Sequence, residues 1–487
     1  MLLAIYILLA LSLFTYGYNC FVMSYLFLRK QGLAQAMWTR VIADGQAAFD
    51  KPDELPSVTT QIPVYNEANV VERVLRAAVA MDYPQGKHEI QALDDSTDET
   101  RSLIDTEIEA LQKTGVDVKV VRRANRRGYK AGALRNGLLT CKGDYIAVFD
   151  ADFIPPPDFL RKLVPILRHD ANLAFVQARW GHTNSTKSLL TRAQTIGIDG
   201  HFMIEQSARA FNGLFLNFNG TAGLWRKAAI LDAGNWQDDT LTEDMDLSYR
   251  TQLAGWKAAY APDVVVPAEL PESYEAFKKQ QFRWAKGSIQ TAIKILPRVF
   301  QSPAPVFKKL QAVLHLTHYC IHPLMVALAL LALPLILTTE IIPGTGWMIF
   351  LALAILTAMI GPSFLYCISR FSLGGSNIAM LRFLPGLICI GVGIALSNSR
   401  AVFEAISGVK TPFIRTPKSG DLRKIYLSKA DLLPALELLL GSYCAISFAF
   451  YLHAGKYLVG PFLLIYALGF LHVGFQGLLE RLQPKPA

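Results

Sequence analysis

Acidic side chains recur in this 487-residue chain at places where carboxylates are hard to keep. Asp94 and Asp95 follow the strand-like run His88–Leu93. Asp150 and Asp152 close YIAVFDADF (Tyr145–Phe153), where five apolar or aromatic residues lead into the first acid. Glu243, Asp244 and Asp246 sit in TEDMD. A carboxylate at the end of a buried strand is electrostatically poor unless a cation or a run of donors meets it. A D-x-D turn suits Mg2+ or Mn2+, hard cations that take oxygen ligands and share them with substrate phosphates. Asp152 is therefore the expected metal ligand, with Asp150 helping to hold a nucleotide. Alone, such a turn is more often a solvated loop, so its weight rests on its company.

Six other stretches supply that company. PVYNE (Pro63–Glu67, with Tyr65 inside) ends the first strand-like run. DDS (Asp94–Ser96) ends the second. GYKAG (Gly128–Gly132) places Lys130 between glycines, where a phosphate can sit against backbone and ammonium. NFNGTAG (Asn217–Gly223, including Asn219 and Gly220) is rich in small residues. It lies just before Thr242-Glu243-Asp244. QQFRW (Gln280–Trp284) carries Gln280, Arg283 and Trp284, and FIRTPK (Phe413–Lys418) carries Arg415, Thr416 and Lys418. Each has a plainer reading: a turn, a flexible loop, a helix start with Thr242 as cap, an interfacial helix, a basic membrane loop.

Secondary-structure signals place these stretches together. Ser57–Pro63, His88–Leu93, Val116–Val121 and Tyr145–Phe149 read as strands, and Asn66–Ala80 as a helix. Ser96-x-x-Glu99 reads as a capping box for the next helix. The alternation predicts a doubly wound, mostly parallel sheet, with ligands beyond the carboxyl ends of its strands. The acids fall at those ends.

The remainder is apolar. Hydrophobic residues make up 52 % of the chain, and mean hydropathy is +0.28. Met1–Leu28 has no charge before Arg29. Further apolar runs cover about 314–338, 347–369, 383–396, 432–452 and 457–478, several near the ~20 residues that cross a bilayer. Arg29 and Lys30 after the first run favour a retained anchor over a cleaved signal. The expected organisation is a transmembrane helix over 1–30, a cytosolic domain over 50–300 and a membrane bundle over 310–487 with a basic loop near 400–430. Phe383–Leu396 is expected to be interfacial or re-entrant, leaving five spans. The net charge of +9 fits basic loops and attraction to lipid or substrate phosphates. It is not expected to mean nucleic acid, because no such motif appears. The six cysteines show no C-x-x-C spacing, which argues against structural zinc.

In this order, D-D-S, D-A-D, T-E-D and Q-x-x-R-W resemble the processive family 2 glycosyltransferases, the cellulose synthase, hyaluronan synthase and cellulose-synthase-like enzymes. LDDSTD, GYKAGALR, VFDADF, VQARW, FNGTAG, EDMDL and QQFRW look most like the plant A and C cellulose-synthase-like groups, the mannan and xyloglucan-backbone synthases, and their bacterial relatives. The resemblance runs from Val58 to Lys418. It implies a GT-A α/β domain and an inverting sugar transfer from a nucleotide sugar, GDP-mannose or UDP-glucose, to a growing β-linked glycan extruded through the membrane bundle. It also implies roles. Asp244 is the base, with Glu243 beside it, and Arg283 meets the departing diphosphate. Pro63, Tyr65, Glu67, Asp94, Asp95, Lys130 and Asp150 hold the nucleotide. Arg415, Thr416 and Lys418 form a mobile loop that closes over it, although the residues leading that loop differ from the cellulose synthase version. Asn219, Gly220, Thr242, Gln280 and Trp284 face the acceptor, and Asp152 holds Mg2+ or Mn2+. The implied location is a bacterial cell membrane, or the Golgi in a eukaryote, with membrane lipids around the bundle. The alternative is a non-processive transferase acting on a lipid such as ceramide or a polyprenyl phosphate. A glycoside hydrolase, or a non-enzymatic transporter or scaffold, fits the full set of acids less well.

Overall fold

The computed structural model describes residues 1–338, 345–376, 382–411, 432–457 and 460–482. Arg415, Thr416 and Lys418 lie outside the described residues. A seven-stranded sheet forms the centre of residues 58–268. Its strands are β1 (Val58–Val64), β2 (His88–Asp94), β3 (Asp117–Val121), β4 (Tyr145–Val148), β5 (Leu173–His182), β6 (Gly223–Arg226) and β7 (Lys257–Ala268). They are ordered β3-β2-β1-β4-β6-β5-β7. β1, β2, β3 and β4 run parallel, as do β5 and β7; β6 is antiparallel to both its neighbours. The mostly parallel α/β sheet is thus present, with β5–β7 extending it beyond the four expected strands.

Register decides where the acids emerge. Val64 pairs with Asp94, so β1 and β2 end level, and Tyr65 and Asp95 leave the sheet side by side. β4 stops at Val148, and the Asp150 N–H is taken by the Thr221 hydroxyl at 2.9 Å.

Two local expectations are corrected. The helix expected from Asn66 starts only at Val71 and runs to Val79, burying Val71, Val74, Leu75 and Ala78 on one face. Asn66 instead adopts a left-handed φ of 54°, a conformation that asparagine tolerates better than most residues. Its backbone N–H donates to Ser96 Oγ at 3.0 Å, and its Oδ1 accepts from Thr97 N at 2.8 Å. Ser96 therefore makes no capping box: it ties the two strand-end loops together. Asp98 Oδ1 accepts from the Thr100 N–H where the next helix, Thr100–Gln112, begins.

Five helices among the described residues are long and apolar enough to cross a bilayer: Leu2–Asp50, His318–Thr338, Leu353–Ser372, Leu433–His453 and Gly460–Leu482. Leu384–Gly393 and Ala395–Ile406 form a pair bent by 42°, a geometry that a broken span shares with the interfacial or re-entrant segment expected there. The first helix does not stop at Leu28. Leu2–Gly45 has 44 residues, about 66 Å at 1.5 Å per residue and twice what a hydrocarbon core needs. Its far end docks Trp38, Val41 and Ile42 on the sheet's hydrophobic core.

One helix, Tyr274–Gln301, joins the two halves. Its first backbone donors, Tyr274 N and Glu275 N, go to the two Glu480 carboxylate oxygens at 2.6 and 3.0 Å. Tyr274 Oη also pairs with His472 at 2.8 Å. Glu480 and His472 belong to the last bilayer-length helix, which is thereby bolted to the helix that carries QQFRW.

Candidate active site

A cleft of about 190 Å3 opens beyond the carboxyl ends of β1, β2 and β4. It gathers Pro63, Tyr65 and Glu67 from the first loop, Asp95 from the second, Lys130, the Asp150–Asp152 turn, Asn219 and Gly220. Thr242, Glu243, Asp244, Gln280, Arg283 and Trp284 complete its wall. Residues up to 221 positions apart in sequence thus share one cavity. Asp94 stays outside it.

The strand-end acids are answered by arginines from just beyond β3. Arg122 Nε lies 2.8 Å from Asp94 Oδ2, and the Asp94 side chain is sealed from solvent. Arg123 forks onto Asp95 with contacts of 2.7 and 2.5 Å, the bidentate geometry that suits guanidinium and carboxylate. The cation expected at these two acids is therefore the chain's own. Arg126 lies 3.2 Å above the Tyr65 ring centroid, giving this end of the cleft a flat cationic wall suited to a base or ribose. The run Arg122-Arg123 and Arg126-Arg127 is a sequence signal for these positions that the motif reading passes over.

Lys130 is also engaged. Its ammonium lies 2.5 Å from Asp150 Oδ1 and donates to the Gly220 carbonyl at 2.9 Å. Burial works against its charge, but Asp150, Glu243 and Asp244 outweigh that and raise its pKa. It is a fixed positive charge between the D-x-D turn and the Glu243 and Asp244 carboxylates.

Asp244 lies in the first turn of the helix Glu243–Leu253. Burial, and then the neighbouring Glu243 carboxylate, push the Asp244 carboxyl up to about 7. Burial raises Glu243 as well, against the pull of Lys130. A carboxylate poised near neutrality is suited to general base chemistry. Gly220 makes room for it: a Cβ there would lie 2.9 Å from Asp244 Oδ2, and its φ is +80°.

Thr242 occupies the cap position of this helix without capping it. Its hydroxyl pairs with Thr291 Oγ1 at 3.1 Å, and Leu241 N donates to Gln290 Oε1 at 3.0 Å. Gly287 lets the helices touch there, since a Cβ on it would meet Thr242 Cγ2 at 2.6 Å. Arg283, Gly287, Gln290 and Thr291 follow helical spacing, so one face of the Tyr274–Gln301 helix both supplies Arg283 and fixes the T-E-D turn. Arg283 is held among Asp150, Glu243, Asp244 and Asp152; burial nonetheless lowers its pKa. Trp284 faces Trp180, with ring centroids 6.4 Å apart, and the two form an aromatic wall of the cleft.

Among the described residues no three His, Cys, Asp or Glu side chains converge as a metal cage. The donor set nevertheless fits Mg2+ or Mn2+. Asp152 is only 4 % exposed and stands beside Asp150. One or two carboxylates completed by substrate phosphates and water is the usual arrangement for these ions.

A family model described as "Glycosyltransferase like family 2" matches residues 56–287. Glucomannan 4-beta-mannosyltransferase 7 of Arabidopsis thaliana is 34 % identical over 86 % of this chain and 76 % of its own length. The chain belongs to glycosyltransferase family 2. Within this family it matches the probable glucomannan 4-beta-mannosyltransferase 7 of Oryza sativa at 48 % identity, over 50 % of this chain and 42 % of the rice protein. The chain spans about half the length of this and several other relatives. Of the A and C cellulose-synthase-like groups expected from the sequence, these mannosyltransferase relatives match the A group. A mannosyltransferase from Pyrobaculum calidifontis, solved in complex with GDP-Man and Mn2+, superposes with a TM-score of 0.51 at 19 % identity, covering 84 % of this chain and all of that one. At that identity the likeness speaks to the fold, which is GT-A-like.

Proposed function

We propose that this family 2 protein is an integral-membrane, inverting glycosyltransferase that polymerises a β-linked mannan or glucomannan from GDP-mannose, with UDP-glucose as the second candidate donor. The carrying observation is the placement of Asp244, with its raised pKa, in one cleft with Arg283 and the D-x-D turn. The names of the plant relatives and the GDP-Man in the archaeal structure support the choice of sugar.

In this reading an acceptor hydroxyl gives its proton to Asp244 while its oxygen bonds to the anomeric carbon. The bond from that carbon to the diphosphate breaks on the opposite face, which inverts the centre. The nucleoside diphosphate leaves with the electron pair, and Arg283 meets the growing negative charge. Asp152, with Asp150 beside it, would hold the divalent ion, whose contribution is Lewis-acid stabilisation of that diphosphate. Asp95, Tyr65 and Arg126 face the nucleotide end; Trp284 and Trp180 offer stacking faces to the glycan. Glu243 acts through charge, keeping Asp244 basic. The catalytic domain faces the cytosol and the bilayer-length helices conduct the product, with Arg29, Lys30 and Arg481 on the inner side.

The test uses the full chain in lipid nanodiscs with Mn2+ or Mg2+ and a panel of radiolabelled GDP- and UDP-sugars. Label in a long chain digested by a β-mannanase supports the proposal. Label confined to one organic-soluble lipid moves the protein to the lipid-directed transferases.

A further inference from the structure

Beside the acceptor end of the cleft, the helix that begins at Leu189 widens into a π-helical turn, Gly200–Gln206. Such turns are rare and concentrate at functional sites. This one aims two side chains at Asn219, and their hydrogen bonds leave its amide a single orientation.

Gln206 Nε2 donates to the Asn217 carbonyl at 2.9 Å and also to Asn219 Oδ1. An amide nitrogen only donates, so the Asn219 atom facing it is the oxygen, and its NH2 lies on the other side. There Asn219 Nδ2 is 3.1 Å from His201 Nε2. His201 Nδ1 lies 3.0 Å from Glu205 Oε2. Glu205 is held ionised: burial would raise it, but Arg209 and His201 bring it well below the usual carboxylate range. Arg209, with no exposed side-chain surface, grips the other carboxylate oxygen at 2.9 and 3.1 Å. A carboxylate accepts, so the hydrogen sits on His201 Nδ1, and Nε2 accepts from Asn219. Arg209, Glu205, His201 and Asn219 form a directed chain.

An NH2 group carries two hydrogens. His201 takes one, and among the described residues the other has no partner. Asn219 lines the cleft and is followed by Gly220, which abuts the Asp244 carboxylate. We propose that this N–H is a donor to an acceptor-sugar hydroxyl, and that His201, fixed by Glu205 and Arg209, is the positioning residue that orients it. The hydroxyl it meets is a ring neighbour of the attacking one, since a donor on the attacking oxygen would compete for the lone pair that forms the bond. The inference rests on the glycosyl-transfer reading above and adds acceptor positioning to it.

The experiment measures two fates of the donor sugar in the full chain in nanodiscs: transfer to glycan and transfer to water. Nucleotide dissociation constants are taken in parallel. His201→Ala is expected to lower glycan formation at least tenfold, with donor hydrolysis, donor KM and nucleotide affinity within twofold of wild type. His201→Gln keeps an acceptor for Asn219 and a donor for Glu205, and is expected to restore glycan formation to within threefold. Should His201→Ala not fold, Asn219→Leu, of similar volume and without a donor, is expected to show the same split. Glycan formation and hydrolysis falling together, or neither falling, overturns the inference while leaving the transfer reading standing. A wild-type protein that transfers no sugar from any donor in the panel overturns both.

Discussion

Lys278 and Glu437 lie 3.0 Å apart with both side chains shut away from solvent, linking the helix that carries Arg283 to a bilayer-length helix 159 residues further on. Together with Glu480 and His472, this contact makes the position of the Arg283 helix depend on the bilayer-length helices. Removing one partner of a buried pair leaves an uncompensated charge, at a cost of about 3–5 kcal/mol. Glu437→Gln is therefore expected to lower both the unfolding temperature in nanodiscs and the turnover. The reversal Lys278→Glu/Glu437→Lys should recover more than half of the lost unfolding temperature. A double variant no more stable than either single one would refute the coupling.

Asp244→Asn keeps the shape of the site and removes the carboxylate proposed as the base. Turnover is expected to fall by about 10²–10⁴-fold, while calorimetric nucleotide affinity stays within threefold. A loss of affinity as large as the loss of rate would assign Asp244 to binding instead.

The pH profile follows from the same carboxyl. Raised to about 7 by burial and by Glu243, Asp244 is protonated, and unable to accept, on the acid side. Turnover at saturating donor should climb as pH rises through about 7 and then level off. Glu243→Gln removes the like charge, so the midpoint should move to lower pH. An unmoved midpoint would mean that Glu243 does not set it.

Gly220→Ala tests the close approach at the base. The added methyl lands 2.9 Å from Asp244 Oδ2, at a φ of +80°, which L side chains adopt only with strain. Misplacing a reacting group by an ångström costs on the order of 10²-fold. Turnover should fall to that extent while the far-ultraviolet circular dichroism spectrum is unchanged.

Chelation with EDTA is expected to stop sugar transfer, and added Mn2+ to restore it. In Asp152→Asn the Mn2+ concentration for half-maximal rate should rise at least about tenfold, since even outer partners of a metal ligand are worth that much. An unchanged metal requirement would remove Asp152 from the metal site.

Much of this architecture is legible in the amino-acid sequence. β1 to β4, the strand-end acids, the T-E-D and Q-x-x-R-W spacing and the bilayer-length runs are local features. They follow from hydrophobic period, run length and residue type over a few turns of chain. The antiparallel β6, Gly223–Arg226, was not: four residues next to a small-residue loop carry too short a pattern, and their strand pairing is created by the edges of β4 and β5.

Side-chain partnership was the larger gap. Asp94 and Asp95 announce a need for positive charge, but Arg122 and Arg123 satisfy it only because β3 lies beside β2. Lys130 reads as a phosphate cradle, yet folding brings it to Asp150 and the Gly220 carbonyl. Gly287, Gln290 and Thr291 gain their meaning from the T-E-D turn 49 residues earlier, and Glu480 from donors 206 residues earlier. Residue type and spacing by themselves determined which chemistry the chain carries, because carboxylate, guanidinium and apolar run each have properties independent of their neighbours. Which carboxylate is neutralised, which is left poised near neutrality, and which helix holds them were decided by the tertiary structure alone, because burial and distance set those energies.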